Sequence, residues 1–94
     1  MVRHIDITVK GKVQRVGFRA ATKAVADQLG VKGSIHNEPN GDVFIAAEGD
    51  NISLEMFLDW CKEGPQHAIV TSVESHEGEL KNYRNFDLAK RGAF

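Results

Sequence analysis

The segment from Gly11 to Arg19, GKVQRVGFR, carries the residues best suited to chemistry in this chain. Gly11 and Gly17 permit unusual backbone dihedral angles and the close approach of a ligand. The N–H groups in the first turn of a helix have no intrahelical partner, and with the helix dipole they attract anions. Arg19 adds a planar guanidinium that matches two phosphate oxygens. On residue types and spacing, the segment is either an anion-binding loop or a surface connection with a solvated arginine.

The spacing excludes two common phosphate-binding motifs. No Gly-Lys pair followed by Ser or Thr is present, and the glycines do not have the spacing of a dinucleotide-binding fingerprint. Up to position 23 the chain has one acid, Asp6, and six basic residues, Arg3, Lys10, Lys12, Arg15, Arg19 and Lys23. This bias is either ordinary surface charge or a local positive field around residues 10–19 that attracts a small anion.

Hydrophobic periodicity predicts a strand before this loop and a helix after it. Apolar and polar residues alternate over residues 4–10, which is typical of a half-buried strand. The period then becomes helical over residues 20–29, and Gly30 is placed to end the helix. The predicted buried stripe of this helix is Ala21, Val25 and Leu29.

The rest of the chain predicts a second helix and four more strands, the last of them short. Asp50 or Asn51 can cap that helix, and Gly64-Pro65 ends it. Val70 and Val73 lie three residues apart, which predicts a bulge in the fourth strand. The predicted segments are strands over 31–37, 42–47 and 68–77, a tight reversal at 38–41, a helix over about 51–63, and a short last strand over 86–88.

The order β-α-β-β-α-β predicts a ferredoxin-like α+β sandwich. In this plan two helices cover one face of an antiparallel sheet, which the short strand at 86–88 would extend as a fifth strand. The first and second strands run the same way, with the third strand between them. We therefore expect the loop at 11–18 and Asn37, which ends the second strand, to lie at the same edge of the sheet.

Two segments resemble the signatures of the acylphosphatase family. The loop GKVQRVGFR resembles G-x-V-Q-G-V-x-F-R, and GSIHNEPNGDVFIAAEG over 33–49 resembles the second signature. The resemblance extends to Gly64-Pro65 and to the closing Tyr83, Phe86 and Leu88, so it covers essentially the whole chain. It implies a single acylphosphatase-like domain over residues 1–94. The matching positions of the second signature are Gly33, Asn37, Gly41, Val43 and Gly49.

This resemblance implies an enzyme that hydrolyses acyl phosphates to a carboxylate and inorganic phosphate without a metal or a cofactor. It implies that Arg19 and the loop amides bind the phosphoryl group and that Asn37 positions the attacking water. An amide does not take up a proton near neutral pH, so Asn37 can orient water but cannot act as a base. The resemblance assigns the loop that binds the phosphoryl group to Gln14, Arg15, Val16, Gly17 and Phe18.

Three departures from the family pattern bear on activity. Arg15 stands where the signature has glycine, and a positive φ there would strain it by about 1 kcal/mol. Its side chain would either add positive charge to the site or block it. Ser34 replaces an aromatic residue, and Glu38 beside Asn37 would repel a phosphate. The alternative function is therefore a non-catalytic or weakly active phosphate-binding module.

The remaining chemistry-bearing residues predict no second site. Cys61 lies on the apolar stripe of the second helix and is expected in the core, and a single cysteine fits a reducing cytoplasm. The histidines share no helical spacing and no acid or cysteine pairing, so we expect surface positions for His4, His36, His67 and His76.

Charge and composition do not indicate general affinity for nucleic acid or for a membrane, and the small acyl phosphate substrate is what the family resemblance implies. The net charge is −1, and the first strand lacks the stacking aromatics of an RNA-binding sheet. No apolar run approaches the roughly 18 residues of a membrane span. We expect a cytoplasmic monomer that binds an acyl phosphate and neither nucleic acid nor membrane.

Overall fold

The structure, a computed structural model, describes residues 1–89. Residues 90–94, which belong to the predicted domain, lie outside this range. No helix within residues 1–89 is long and apolar enough to cross a membrane. The elements in chain order are β1 (Arg3–Lys12), α1 (Phe18–Leu29), β2 (Lys32–Asn37), β3 (Val43–Gly49), α2 (Asn51–Glu63), β4 (Ile69–Gly78) and β5 (Phe86–Leu88).

The sheet confirms the ferredoxin-like plan. Its strand order is β4-β1-β3-β2-β5, and β3 pairs antiparallel with both β1 and β2. Val43 at the start of β3 faces Val9 on one side and Asn37 on the other. With strands about 4.8 Å apart, Asn37 therefore lies about 10 Å from Val9, three residues before the end of β1.

The sheet is mixed, which corrects the expectation of an antiparallel one. The predicted fifth strand is present, but β5 runs parallel to β2. The last residue of β4, Gly78, pairs with His4 near the start of β1, so the chain leaves β4 at the end of the sheet where β1 begins. The connection crosses the sheet at that end, where β2 also begins, so β5 starts beside Gly33 and follows the direction of β2.

The buried face of α1 also differs from the predicted stripe. Ala21, Val25 and Leu29 are only half-buried, and the fully buried residues are Phe18, Thr22 and Ala26. The helix begins two residues earlier than predicted, so Phe18 sets the phase of the buried face. Thr22 tolerates burial because its hydroxyl donates a hydrogen bond to the Phe18 carbonyl oxygen, 2.7 Å away.

Helix α2 matches its prediction. Asp50 is the N-cap and accepts a hydrogen bond from the Ser53 N–H at 2.8 Å, and Gly64 follows the last turn. Leu54, Phe57 and Cys61 are buried, and burial raises the pKa of the Cys61 thiol to about 12. The core between the helices and the sheet includes a Phe57–Phe86 contact with ring centroids 5.9 Å apart.

The prediction of a surface His4 is wrong. Its side chain is 1% exposed, with Nδ1 2.7 Å from Glu48 Oε2 and Nε2 2.7 Å from Asp6 Oδ1. Paired carboxylates allow an ionisable ring to be buried. The Glu48 carboxylate also accepts the backbone N–H groups of Lys81 and Tyr83, at 2.6 and 3.2 Å. This group of three side chains, the His4 network (His4, Asp6 and Glu48), therefore holds the connection that leads into β5.

The pKa values of the two buried members shift in opposite directions. Burial by itself lowers the His4 pKa, but hydrogen bonds and charges from Glu48 and Asp6 outweigh it and leave the pKa above 6.5. Burial by itself raises the Glu48 pKa, but hydrogen bonds from Lys81, His4 and Tyr83 leave it below 4.5. A base whose pKa is raised on folding stabilises the fold at pH values below its unfolded pKa. An acid whose pKa is lowered on folding stabilises the fold at pH values above its unfolded pKa.

The stabilisation from the His4 network should therefore be largest between about pH 4.5 and 6.5. It should be lost as pH rises through the folded pKa of His4, and again as pH falls through that of Glu48. We expect Glu48→Gln to lower the free energy of unfolding by about 1–3 kcal/mol at pH 6 and to flatten its decline above pH 6.5. Urea denaturation across pH measures both effects. Glu74→Gln, at an exposed position of β4, is the control, and an unchanged pH profile in Glu48→Gln would contradict the assignment.

Candidate active site

The site loop leaves β1 at an irregularity in the sheet. Lys10 pairs with Ser72 and Gly11 with Val70, so Thr71 is the extra residue of the bulge predicted for the fourth strand. A Cβ atom at Gly11 would lie 2.1 Å from the Ile69 carbonyl oxygen. Only glycine allows this close backbone approach, and it sets the point at which the loop begins.

The loop ends at the N-terminus of α1, where backbone donors are available. Gly17 has a left-handed backbone with φ 76°, and the first hydrogen bond of the helix runs from the Ala21 N–H to the Gly17 carbonyl oxygen at 3.1 Å. The N–H groups of residues 18–20 precede that bond. No side chain caps them, and the first turn contains no acid. These donors and the positive end of the helix dipole suit an anion.

Phe18 anchors this helix terminus in the core. Its side chain is 1% exposed, and its ring packs against Trp60 with centroids 5.7 Å apart. The next residue, Arg19, is exposed. The guanidinium therefore projects from a helix turn whose position is set by core packing rather than by a mobile connection.

Asn37 supplies an unpaired acceptor from the end of β2. Its Oδ1 atom is buried and has no hydrogen-bond partner within residues 1–89. A buried polar atom without a partner costs about 1–3 kcal/mol, so such atoms in a folded protein point to a functional requirement. The oxygen can accept a hydrogen bond from a water molecule or a ligand.

A cavity of about 170 Å³ joins these parts. It brings together five of the residues predicted for the site, Arg15, Gly17, Phe18, Arg19 and Asn37. The other two, Gln14 and Val16, do not line it. The lining also includes three residues that the sequence analysis missed, Val13, Ala20 and Leu88. Val13 and Ala20 adjoin the predicted loop, whereas Leu88 arrives through the pairing of β5 with β2, for which the sequence has no local signal.

The Gln14 side chain ties the loop to the turn that follows Asn37. Its Nε2 donates hydrogen bonds to the carbonyl oxygens of Glu38 and Asp42, at 2.8 and 2.9 Å. One amide thus connects the segment before Arg19 to the segment after Asn37. The backbone of Gln14 remains part of the loop, but its side chain holds the two halves of the site in register.

The charge around the cavity is positive. Arg15 has φ 62°, so its backbone has the left-handed conformation for which we predicted strain. Its exposed side chain belongs to a residue that lines the cavity, as Arg19 also does. Among the residues that the structure describes, no carboxylate side chain lines the cavity. The acids of the nearby turn have other partners, since Glu38 lies 3.2 Å from His36 Nε2 and Asp42 3.3 Å from Lys10 Nζ.

Comparison with known proteins gives a consistent result. The family model described as Acylphosphatase matches residues 5–88. An acylphosphatase of Archaeoglobus fulgidus is 45% identical over 85 residues, which cover 90% of this chain and 96% of the relative. One of Thermotoga maritima is 44% identical over 87 residues, covering 93% and 97%. The crystal structure of acylphosphatase from Bacillus subtilis matches with a TM-score of 0.90 at 32% identity, covering 95% of this chain and 99% of that one.

The bridge made by Gln14 can be tested without an activity assay. Gln14→Leu removes both hydrogen bonds, while the Glu38 and Asp42 carbonyl oxygens keep their backbone partners, the N–H groups of Gly41 and Glu38. At about 0.5–1.5 kcal/mol for each lost bond, we expect the free energy of unfolding to fall by about 1–3 kcal/mol. We also expect faster amide hydrogen exchange in residues 14–20 and 38–42 than elsewhere, because both segments lose their connection. Gln28→Leu, on the exposed face of α1, is the matched control. Equal exchange in the two variants would show that the bridge does not order the site.

Proposed function

We propose how this chain, which belongs to the acylphosphatase family, hydrolyses acyl phosphates to a carboxylate and inorganic phosphate. Arg19 and the loop N–H groups bind the phosphoryl group, and Asn37 orients the attacking water. The observation that carries this assignment is the shared cavity. Arg19, the first residues of α1 and Asn37 all line it, although Arg19 and Asn37 come from different elements.

Binding of the phosphoryl group would use complementary charge and geometry. The Arg19 guanidinium can donate two parallel hydrogen bonds to phosphate oxygens. The N–H groups of residues 18–20 add donors at the positive end of α1. Phosphoryl transfer requires mainly positioning and stabilisation of charge on the equatorial oxygens, and the helix holds these N–H groups in place before the substrate binds.

Asn37 would act on the water. Its Oδ1 accepts a hydrogen bond from a water O–H, which turns the oxygen lone pair of that water towards phosphorus. The water oxygen forms a bond to phosphorus while the bond to the acyl oxygen breaks, and the carboxylate leaves. Because a carboxylate is a good leaving group, little acid catalysis is needed. We propose that a phosphate oxygen or solvent takes the proton, since Asn37 cannot.

The mechanism assigns charge stabilisation to Arg19 and backbone donors, without a metal ion or a cofactor. In the described part of the chain, no group of three or more His, Cys, Asp or Glu side chains is arranged to hold a metal.

The alternative of a non-catalytic phosphate-binding module is not favoured, because the relatives at 44–45% identity are acylphosphatases over almost their full length. The three departures from the signature are compatible with activity. Arg15 lines the cavity beside Arg19, and Glu38 is engaged by His36. Ser34 is a half-buried residue of β2 and does not line the cavity.

We also propose that the protein acts as a monomer in the cytoplasm on a small acyl phosphate. Support for a monomer comes from the cavity, whose guanidinium, backbone donors and amide all belong to one chain. Support for a reducing compartment comes from Cys61, the single cysteine, whose thiol is buried and free. Gel filtration and cell fractionation test these two assignments.

The roles of Arg19 and Asn37 predict different defects. Arg19→Ala should lower kcat/KM for benzoyl phosphate by about 10²–10³-fold and should also weaken competitive inhibition by inorganic phosphate, because it removes both charge and hydrogen bonds. Asn37→Ala should lower kcat by a similar factor but leave the phosphate inhibition constant nearly unchanged, because it removes only the contact with water.

Steady-state kinetics with phosphate as inhibitor separate these defects. Arg84→Ala and Asn85→Ala, at exposed positions in the connection before β5, are the matched controls. A wild type that binds phosphate without hydrolysing benzoyl phosphate would support the module instead. Full activity in Asn37→Ala would refute the role of Asn37.

Metal independence has its own test. Dialysis against EDTA should leave kcat/KM for benzoyl phosphate unchanged, because the proposed charge stabilisation comes from Arg19 and the helix N-terminus. The control is the same sample assayed with added Mg²⁺. Loss of activity on chelation, with recovery in Mg²⁺, would overturn the metal-free mechanism.

A further inference from the structure

Arg15 occupies a position that the phosphoryl-binding role does not account for. Its backbone is left-handed with φ 62°, a conformation that favours glycine, yet an arginine stands there. Its side chain is exposed, and it lines the same cavity as Arg19 and Asn37. Residues in such backbone conformations concentrate at functional sites, which directs attention to what the side chain contacts.

The cavity holds more positive charge than one phosphoryl group requires. Arg15 and Arg19 both line it, and no acid of residues 1–89 does. No ion pair to either arginine occurs within residues 1–89. In the proposed mechanism, Arg19 and the first N–H groups of α1 bind the phosphoryl group. The Arg15 guanidinium is therefore available to bind a second anionic group.

The placement of the two arginines suggests where that group would be. Arg19 adjoins the N–H donors of the first turn of α1, where the phosphoryl group binds in the proposed mechanism. Arg15 comes from the middle of the loop, three residues before that helix begins. The cavity measures only about 170 Å³, so an acyl group larger than a few atoms extends from the bound phosphoryl group towards solvent. Val13 and Leu88 offer apolar contacts to its carbon atoms on the way.

We propose that Arg15 determines specificity by pairing with a second anionic group on the acyl portion of the substrate. The preferred substrates are then acyl phosphates whose acyl group bears a carboxylate or another anion. This inference rests on the proposed function, and it assigns to that site a substrate class. It also gives a physical reason for an arginine at a left-handed position, where glycine would be less strained.

The size of the preference follows from exposure. An ion pair open to solvent contributes little, so we expect about a two- to fivefold preference at low ionic strength, and less as salt screens the pair. The second anion is remote from the reacting phosphorus and contacts Arg15 equally in the ground state and the transition state. The preference should therefore be found in KM and leave kcat nearly equal.

Two rigid substrates provide the test, benzoyl phosphate and 4-carboxybenzoyl phosphate, which differ by one carboxylate that cannot reach the reacting phosphorus. The wild type should show kcat/KM about two- to fivefold higher for the carboxylated substrate. Arg15→Gly should bring the ratio of the two values close to one, and Arg15→Glu should bring it below one. Glycine suits φ 62°, so the first variant is expected to fold. Arg84→Gly removes the same charge at an exposed position outside the cavity, and it should keep the wild-type ratio.

The outcomes separate this inference from the proposed function. A wild type that hydrolyses both substrates with equal kcat/KM would overturn the role of Arg15 and leave the hydrolase function intact. Arg15→Gly lowering both values in proportion would also overturn it, because Arg15 would then contact the phosphoryl group itself. A wild type that hydrolyses neither substrate would overturn the proposed function and this inference with it.

Discussion

The site depends first on the position of β3 between β1 and β2. Because β3 is antiparallel to both, β1 and β2 run the same way and end at the same edge of the sheet. Val43 marks that edge, since it pairs with Val9 on one side and Asn37 on the other. The residues proposed to bind the anion and the residue proposed to orient water are separated by a helix in the chain, and this one pairing scheme brings them together.

Within that frame, local packing holds the parts of the site in place. The left-handed backbone of Arg15 costs free energy, whereas the first N–H groups of α1 and the Asn37 oxygen lack a protein partner within residues 1–89. Phe18 holds the start of α1 in the core, and Gln14 bonds the loop to the turn after β2. Since these anchors lie beside the reactive groups, the groups keep their geometry while remaining free to bind a substrate.

The opposite edge of the sheet also contributes to the site. The His4 network fixes the connection after β4, and that connection delivers β5 to the far side of β2. Leu88 then completes the wall of the cavity. A buried charge cluster at the other end of the molecule therefore supports the cavity by placing a strand, although it has no part in the chemistry.

The sequence by itself determined the features that depend on near neighbours. Alternation and helical periodicity gave the order of elements, Gly30 and Gly64 marked the helix ends, and two valines three apart located the bulge at Thr71. The motif around Arg19, together with the strand order, also placed Asn37 at the same edge.

Tertiary structure alone decided four matters: the direction of β5, the buried face of α1, the burial of His4 and the bridging role of Gln14. Three of these depend on partners at least 24 residues away, such as Glu48 for His4 and the Glu38 carbonyl for Gln14. Such contacts leave no trace in local periodicity, because a side chain's hydrogen-bond partner is set by which strands pair and not by its neighbours in the chain.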